Sequence, residues 1–258
     1  MNIVVCVKQV PDTAVERMLT PEGTLDRASL DGLINELDEY AIEEGLKLAE
    51  AHGGEVTVLS MGPAKAADSV RKALSMGADK AVHVSDDGLA GSDALGTSAA
   101  LAAALRLTGF DVVIFGSEST DARTGVVPAM VAERLGVPQL TLASKVDVDG
   151  TSVTVRRVTD DGYAVVTGGL PAVVSVVEKI NEPRYPTFKG IIAAKKKPVQ
   201  VLALADLGVD AASVGLENAA TWVDDFAARP PRQAGVIVKD DGDGGTKAAG
   251  FLAQRKFI

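Results

Sequence analysis

The sequence is poor in the residues that carry out most protein chemistry. One cysteine, Cys6, stands among 258 residues, which excludes an internal disulfide and any Cys-clustered metal site. It sits inside the apolar run Ile3-Val4-Val5-Cys6-Val7, where a thiol reads as a small buried hydrophobe. Of the two histidines, His52 ends a helical stretch beside two glycines and His83 alternates within a β-branched run. Neither has another His or Cys at metal-ligand spacing. A Gly-x-Ser-x-Gly elbow, a Walker A loop and a His-Glu-x-x-His pair are all missing. Carboxylate pairs such as Glu43-Glu44 and Asp86-Asp87 read as solvated faces and turns. Basic residues are also outnumbered, 26 against 35 acidic ones, for a formal charge of -9. That balance argues against nucleic acid or an anionic membrane as the main partner, and Lys195-Lys196-Lys197 is too short to reverse it. No apolar run approaches the roughly 20 residues of a membrane span, and no signal-peptide pattern opens the chain. The expectation is a soluble, cytoplasmic protein without membrane insertion.

What the chain does have is aliphatic bulk. Hydrophobic residues make up 47% and aromatics only 4%, so the core must be built from Val, Leu, Ile and Ala. This suits a sheet buried on both faces by Ala-rich helices. Short β-branched runs at Asn2–Val7, Glu55–Ser60, Lys80–Ser85 and Phe110–Phe115 alternate with helical stretches. The helices are expected over about Leu37–Ala51, Pro63–Ser75, Ser92 or Asp93 to Leu107, and Val127–Leu135, with Gly53, Gly77 and Gly109 as stops. This rhythm predicts an α/β fold with a doubly wound, mostly parallel sheet covered by helices on both sides. The segment Pro11–Asn35 is a long connection, and such connections often carry function.

After Pro138 the pattern changes. Thr141–Val148, Ser152–Val158 and Tyr163–Thr167 alternate around the hairpin signals Asp149-Gly150 and Asp161-Gly162, which predicts an antiparallel extension before the apolar strand Ala172–Val177. From Asn181 the chain reads as an extended arm with limited structure, including a short strand at Val199–Leu204 and a terminal helix at Thr246–Phe257. So little apolar periodicity does not make a core of its own. The expected division is an α/β domain over 1–180, a Pro- and Lys-rich loop over 181–198 and a C-terminal arm over 199–258 that lies on another subunit.

Two places invite a ligand. The loop Gly116–Val127 leaves the carboxyl end of an apolar strand and enters a helix, the position where doubly wound sheets bind ligands. Gly125 permits close backbone approach, free N–H groups at the helix start attract phosphate, and Ser119, Thr120 and Thr124 add hydroxyls. An ordinary capped turn has the same composition. The second place is Met61-Gly62-Pro63 beside Cys6-Val7-Lys8, a flat apolar slot for an adenine ring or simple Gly-Pro turn chemistry.

The stretch Lys179–Pro198, KINEPRYPTFKGIIAAKKKP, resembles a distinctive block of the electron transfer flavoprotein beta-subunit (FixA) family. The preceding Val155-x-Arg157, Asp160-Asp161-Gly162, Val166 and Pro171-x-Val173-Val174-Ser175 resemble that family's signature, with Ala164 where Glu or Gln is usual. Val7–Asp12 and Leu74–Asp79 extend the likeness to nearly the whole chain. The resemblance implies a sheet of the adenine-nucleotide-binding (Rossmann-like) kind, in a heterodimer whose alpha subunit carries the redox-active FAD while this subunit holds a structural AMP. It also implies that electrons pass from acyl-CoA and related dehydrogenases to a membrane quinone oxidoreductase, with no catalytic site in this subunit. Carried over by position, AMP would meet Cys6, the stretch Asn35-Glu36-Leu37-Asp38, Met61, and the loop residues Gly116, Ser119, Thr120, Asp121, Thr124, Gly125, Val126 and Val127. Where many relatives are polar, Gly125-Val126-Val127 leaves the phosphate to backbone donors, and Asp121 is a ribose or loop-organising group. The segment Pro183–Ala194 matches the family's recognition loop, with Phe188 as apolar anchor and Tyr185, Ile191 and Ile192 beside it. The alternative within the family is a bifurcating flavoprotein, with a second FAD in place of AMP and NADH as reactant. Outside it stand a nucleotide-dependent ligase, which lacks its Gly-rich loop after the first strand, and a stand-alone nucleotide sensor, which would be stable without a partner.

Overall fold

A computed structural model describes residues 1–227, 230–232, 235 and 237–258. They fall into two compact units, Met1–Asp224 and Asp225–Ile258, taken in turn.

The first unit is built on a nine-stranded sheet. Its strands are β1 (Asn2–Val7), β4 (Glu55–Met61), β5 (Lys80–Val84), β6 (Val112–Gly116), β7 (Gln139–Asp149), β8 (Ser152–Thr159), β9 (Gly162–Gly169), β10 (Ala172–Val176) and β11 (Val199–Leu202). Two further strands, β2 (Gln9–Pro11) and β3 (Gly32–Ile34), pair antiparallel in a small separate ribbon. The large sheet runs in the order β11-β5-β4-β1-β6-β10-β7-β8-β9. All pairings from β11 to β7 are parallel, and β8 and β9 add antiparallel strands at the end. The helices are α1 (Glu36–His52), α2 (Ala67–Met76), α3 (Ala94–Thr108) and α4 (Val127–Leu135), followed by the short α5 (Phe188–Ala194) and α6 (Leu204–Leu207).

The apolar runs are continuous because both faces of each central strand are buried. In β1, Ile3, Val5 and Val7 join the core with Ile42 and Leu46 of α1 and Leu74 of α2. Val4 and Cys6 point the other way and pack with Leu101 and Leu105 of α3 and Val131 of α4. Gly45 lets α1 settle on the sheet, since a Cβ there would lie 2.8 Å from Val5 Cγ2. Asp93, rather than Ser92, caps α3 by accepting from Gly96 N at 3.0 Å. The fold is the expected doubly wound α/β architecture with an antiparallel extension.

Three local expectations change. The first run of the expected antiparallel extension, β7, also pairs parallel with β10, which returns between β6 and β7, so β7 belongs to the main sheet as well as to the extension. Glu43 and Glu44 are buried rather than solvated, because residues 181–184 lie along α1. Arg184 binds Glu43 through Nε–Oε2 at 2.7 Å and Nη2–Oε1 at 3.0 Å, and Glu50 at 2.7 Å. Asn181 Nδ2 donates to Tyr40 O and to Glu44 Oε2, both at 3.0 Å.

The third change concerns the segment from Asn181. It contains the helix α5, capped by Thr187 Oγ1 accepting from Gly190 N at 3.0 Å. It also supplies β11, an edge strand parallel to β5, and Leu202, Leu204, Leu207 and Val214 complete one core cluster. The first compact unit runs to Asp224. These elements are four to seven residues long and stand by tertiary packing, so they leave little periodicity to read.

The second unit carries α7 (Gly244–Gln254), close to the expected terminal helix. Asp240 Oδ1 accepts from Gly242 N and Gly244 N ahead of it, and Lys247 pairs with Asp243 at 2.7 Å. Phe251, Leu252, Phe257 and Ile258 are exposed. Residues 228, 229, 233, 234 and 236 of the expected arm lie outside the described residues. Among the described residues no helix is long and apolar enough to cross a membrane.

Candidate functional site

The sheet order reverses at β1: β4 and β5 lie to one side, β6 and β10 to the other. In an open α/β sheet the crevice beyond the carboxyl ends of the strands at such a point is the ligand position. The chain places there Lys8 after β1 and the loop 117–126 after β6, over the start of α1.

Asn35 and Asp38 lock these pieces together. Asn35 Nδ2 donates to Glu118 O at 2.9 Å, and Asn35 Oδ1 accepts from Thr120 N at 3.0 Å. Asp38 Oδ2 accepts from Lys8 N at 2.8 Å, and Lys8 O accepts from Asn35 N at 2.9 Å. Gly116 is the residue that lets β6 end against this corner. A Cβ on it would stand 2.5 Å from Asp38 Oδ1 and 2.8 Å from Leu37 O.

Asp121 is the hub of the outer half, its side chain only 1% exposed. Lys8 Nζ donates to Asp121 Oδ1 at 2.8 Å and to Ser119 Oγ at 3.3 Å, and Arg27 Nη2 donates to Asp121 Oδ2. Arg17 Nη1 donates to Thr120 O at 2.7 Å. Burial pushes the Asp121 carboxyl up, but the Lys8 ammonium and Arg27 guanidinium outweigh it and hold the group well below the usual carboxylate range. Burial lowers Lys8 in spite of Asp121. Asp38 is pushed up to about 7 by burial, against hydrogen bonds from Asn35 and from the Lys8 N–H. Burial also raises the Cys6 thiol, helped by the Asp38 charge, so Cys6 is a packed hydrophobe on the α3 side of the sheet and not a nucleophile.

The site residues expected from sequence divide accordingly. Asn35, Asp38, Gly116, Ser119, Thr120 and Asp121 form one connected cluster, and Leu37 backs it through its carbonyl. Met61 ends β4 one strand away from Lys8, half-buried beside the core that contains Cys6. Glu36, Thr124, Gly125 and Val126 are exposed, and Val127 opens α4. The Thr120 hydroxyl is buried with no hydrogen-bond partner. Sequence reasoning missed Arg17 and Arg27, which arrive from the irregular 12–31 connection, and placed Lys8 only at the edge of the Met61 slot, without a charge role. A lone cation directly after a fully apolar strand was the only signal for Lys8, and nothing local marked the arginines.

A second surface lies around α5. Tyr185 is 89% and Phe188 80% exposed, with Ile191 and Ile192 also open. Gly190 allows the helix to seat on α2, since its Cβ would fall 2.6 Å from Ser75 O. Arg71 Nη1 donates to Ala194 O at 2.9 Å. Of the three consecutive lysines, Lys197 turns inward and donates to Leu74 O and Gly77 O at the end of α2. Among the described residues no group of three or more His, Cys, Asp or Glu is arranged to hold a metal.

Fold and crevice define a doubly wound α/β protein with a braced loop at its switch point. Comparison with known proteins narrows that class. Residues 22–207 match the electron transfer flavoprotein domain. The chain is 51% identical to the electron transfer flavoprotein subunit beta of Mycobacterium bovis, over all of this chain and 99% of that protein. It is 39% identical to the subunit of the same name from Clostridium acetobutylicum, over 92% of each chain. It is also 41% identical to protein FixA of Azorhizobium caulinodans, over 86% of this chain and 83% of that protein. The chain belongs to the electron transfer flavoprotein beta-subunit family, a family of electron carriers.

Proposed function

We propose that this chain is the beta subunit of a heterodimeric electron transfer flavoprotein and holds a structural AMP at the switch point. Its alpha-subunit partner carries the FAD. The heterodimer moves electrons in the cytoplasm from acyl-CoA and related dehydrogenases to a quinone oxidoreductase, and this subunit contributes no catalytic site of its own. The observation that carries the reading is the loop after β6, pinned from below by Asn35 and from the side by Lys8, Arg17 and Arg27. Such bracing is more than a simple turn needs. It leaves the backbone of residues 122–126 exposed at the start of α4, where N–H groups favour a phosphate.

The residues present suit a nucleoside monophosphate. The orphaned Thr120 hydroxyl is a buried polar group in want of a partner, Lys8 and Arg27 supply positive charge, and Met61 offers an apolar edge for a base. FAD, when bound to the partner, supplies the redox chemistry. This chain's part is to brace that partner and to present Tyr185, Phe188, Ile191 and Ile192 to a dehydrogenase, apolar anchors ringed by charge as in transient interfaces. The unit Asp225–Ile258, with its exposed apolar residues, is the arm that covers the alpha subunit.

Co-expression with the alpha chain, followed by extraction and quantification of nucleotides, tests the reading. One FAD and one AMP per heterodimer is expected. Two FADs would instead establish the bifurcating form, and the absence of any adenine nucleotide beyond one FAD would refute the AMP site.

A further inference from the structure

We infer that Arg27 is the residue through which this chain selects a phosphorylated ligand at the switch point. The inference rests on the nucleotide reading above and assigns a specificity role to a side chain that lies in neither the loop after β6 nor the start of α1.

The first support is how firmly Arg27 is delivered. The ribbon β2–β3 closes the base of the 12–31 connection. Within it, Leu19 bridges Leu25 and Asp26 N donates to Met18 O at 2.9 Å. The Asp26 carboxylate then accepts from Ala28 N, Ser29 N and Ser29 Oγ. Arg27 is therefore held within a turn whose backbone is fixed on both sides. Lys65 Nζ ties the same connection to the start of α2 by donating to Leu30 O at 2.9 Å.

The second support is the charge balance. Asp121 is shared between Lys8 and Arg27, two cations on one carboxylate, so the trio carries one net positive charge. Arg17 adds another at Thr120 O, while Glu118 pairs with Arg123 at 3.7 Å. The remaining carboxyl facing the cluster, Asp38, is buried beneath Lys8. Asp121 thus orients the two cations without cancelling them.

The third support is unused donor capacity. Among the described residues Arg27 makes one side-chain hydrogen bond, through Nη2, and its side chain is 41% exposed. The rest of its planar fork is available to an anion. A fork suits phosphate oxygens, which accept paired N–H groups. The buried, unpartnered Thr120 hydroxyl lies in the same loop, one residue from Asp121. A neutral nucleoside would gain nothing from the surplus charge, whereas a phosphate monoester would gain a charge-assisted hydrogen bond.

The experiment is calorimetric titration of AMP and of adenosine into the heterodimer after nucleotide removal, for the native chain, Arg27→Gln and Arg27→Lys. Loss of one charge-assisted bond corresponds to a fall in AMP affinity on the order of tenfold in Arg27→Gln. Adenosine affinity should move less than twofold, so the preference for the phosphorylated ligand collapses. Arg27→Lys keeps the charge but not the fork and should restore part of that preference. If the native heterodimer prefers AMP and Arg27→Gln keeps the same ratio, Arg27 merely braces the connection and the inference fails alone. If the native heterodimer binds neither ligand, the nucleotide reading fails and this inference falls with it.

Discussion

The contact between Gly116 and the start of α1 gives a direct test of how the crevice is framed. In Gly116→Ala the new methyl would sit 2.5 Å from Asp38 Oδ1 and 2.8 Å from both the carbonyl carbon and the oxygen of Leu37. Two of those three atoms are backbone at the start of a helix, so no rotamer change can clear them. Either the end of β6 lifts or α1 retreats, and in both cases the hydrogen bond from Lys8 N to Asp38 is stretched. Overpacking of this kind costs about 1–3 kcal/mol, and the disturbed hydrogen bond places the total near the upper end, about 3 kcal/mol. At about 2–4 °C per kcal/mol for a body of this size, melting should fall by about 6–12 °C. The assay is scanning calorimetry of the chain purified with its partner. Gly169→Ala serves as reference, because its Cβ meets no atom within 4 Å. That change should leave melting unmoved or raise it slightly by restricting the unfolded chain. If Gly116→Ala melts within about 2 °C of the native protein, the corner is looser than described and the argument for a braced loop fails.

Further outcomes follow from the same geometry. Asp38 ionises near 4 in an unfolded chain and is pushed up to about 7 in the folded one. Between those values the unfolded state releases a proton that the folded state keeps, so stability is full below about pH 4 and is lost progressively as pH rises to about 7. Asp38→Asn should flatten that slope in urea unfolding between pH 5 and 7, and parallel slopes would contradict the assignment. Phe188→Ala should leave the unfolding midpoint within about 0.5 kcal/mol of native, as exposed substitutions do. It should slow reduction by a partner dehydrogenase on the order of tenfold or more, the loss of an interface anchor; unchanged stopped-flow kinetics would remove Phe188 from that role.

The parts of this fold legible in the sequence are those whose cause is local. Asn2–Val7 reads as a strand because both its faces are covered, and Asp149-Gly150 and Asp161-Gly162 mark hairpins because their glycines take positive φ, 58° and 146°. The helix Val127–Leu135 carries its own period and ends at the left-handed Gly136. Distant partners decide the rest. Glu43 and Glu44 look solvated until Arg184 and Asn181 arrive from more than 130 residues away. The return of β10 between β6 and β7 is a choice of neighbour that strand composition does not encode. Of the crevice, the loop at Gly116–Val127 was visible as a position in the architecture. Arg17 and Arg27 were not, because they act from a segment without period or motif.

One consequence of the Arg184 clamp remains. With its guanidinium forked onto Glu43 and reaching Glu50, the stretch before α5 has surrendered its freedom during folding, long before any visitor approaches. If a partner lands on Tyr185 and Phe188, as proposed above, it need not freeze a floppy tether first. A handful of apolar contacts can suffice for a productive encounter and still break quickly, the kinetic profile required of a shuttle that must leave as readily as it arrives.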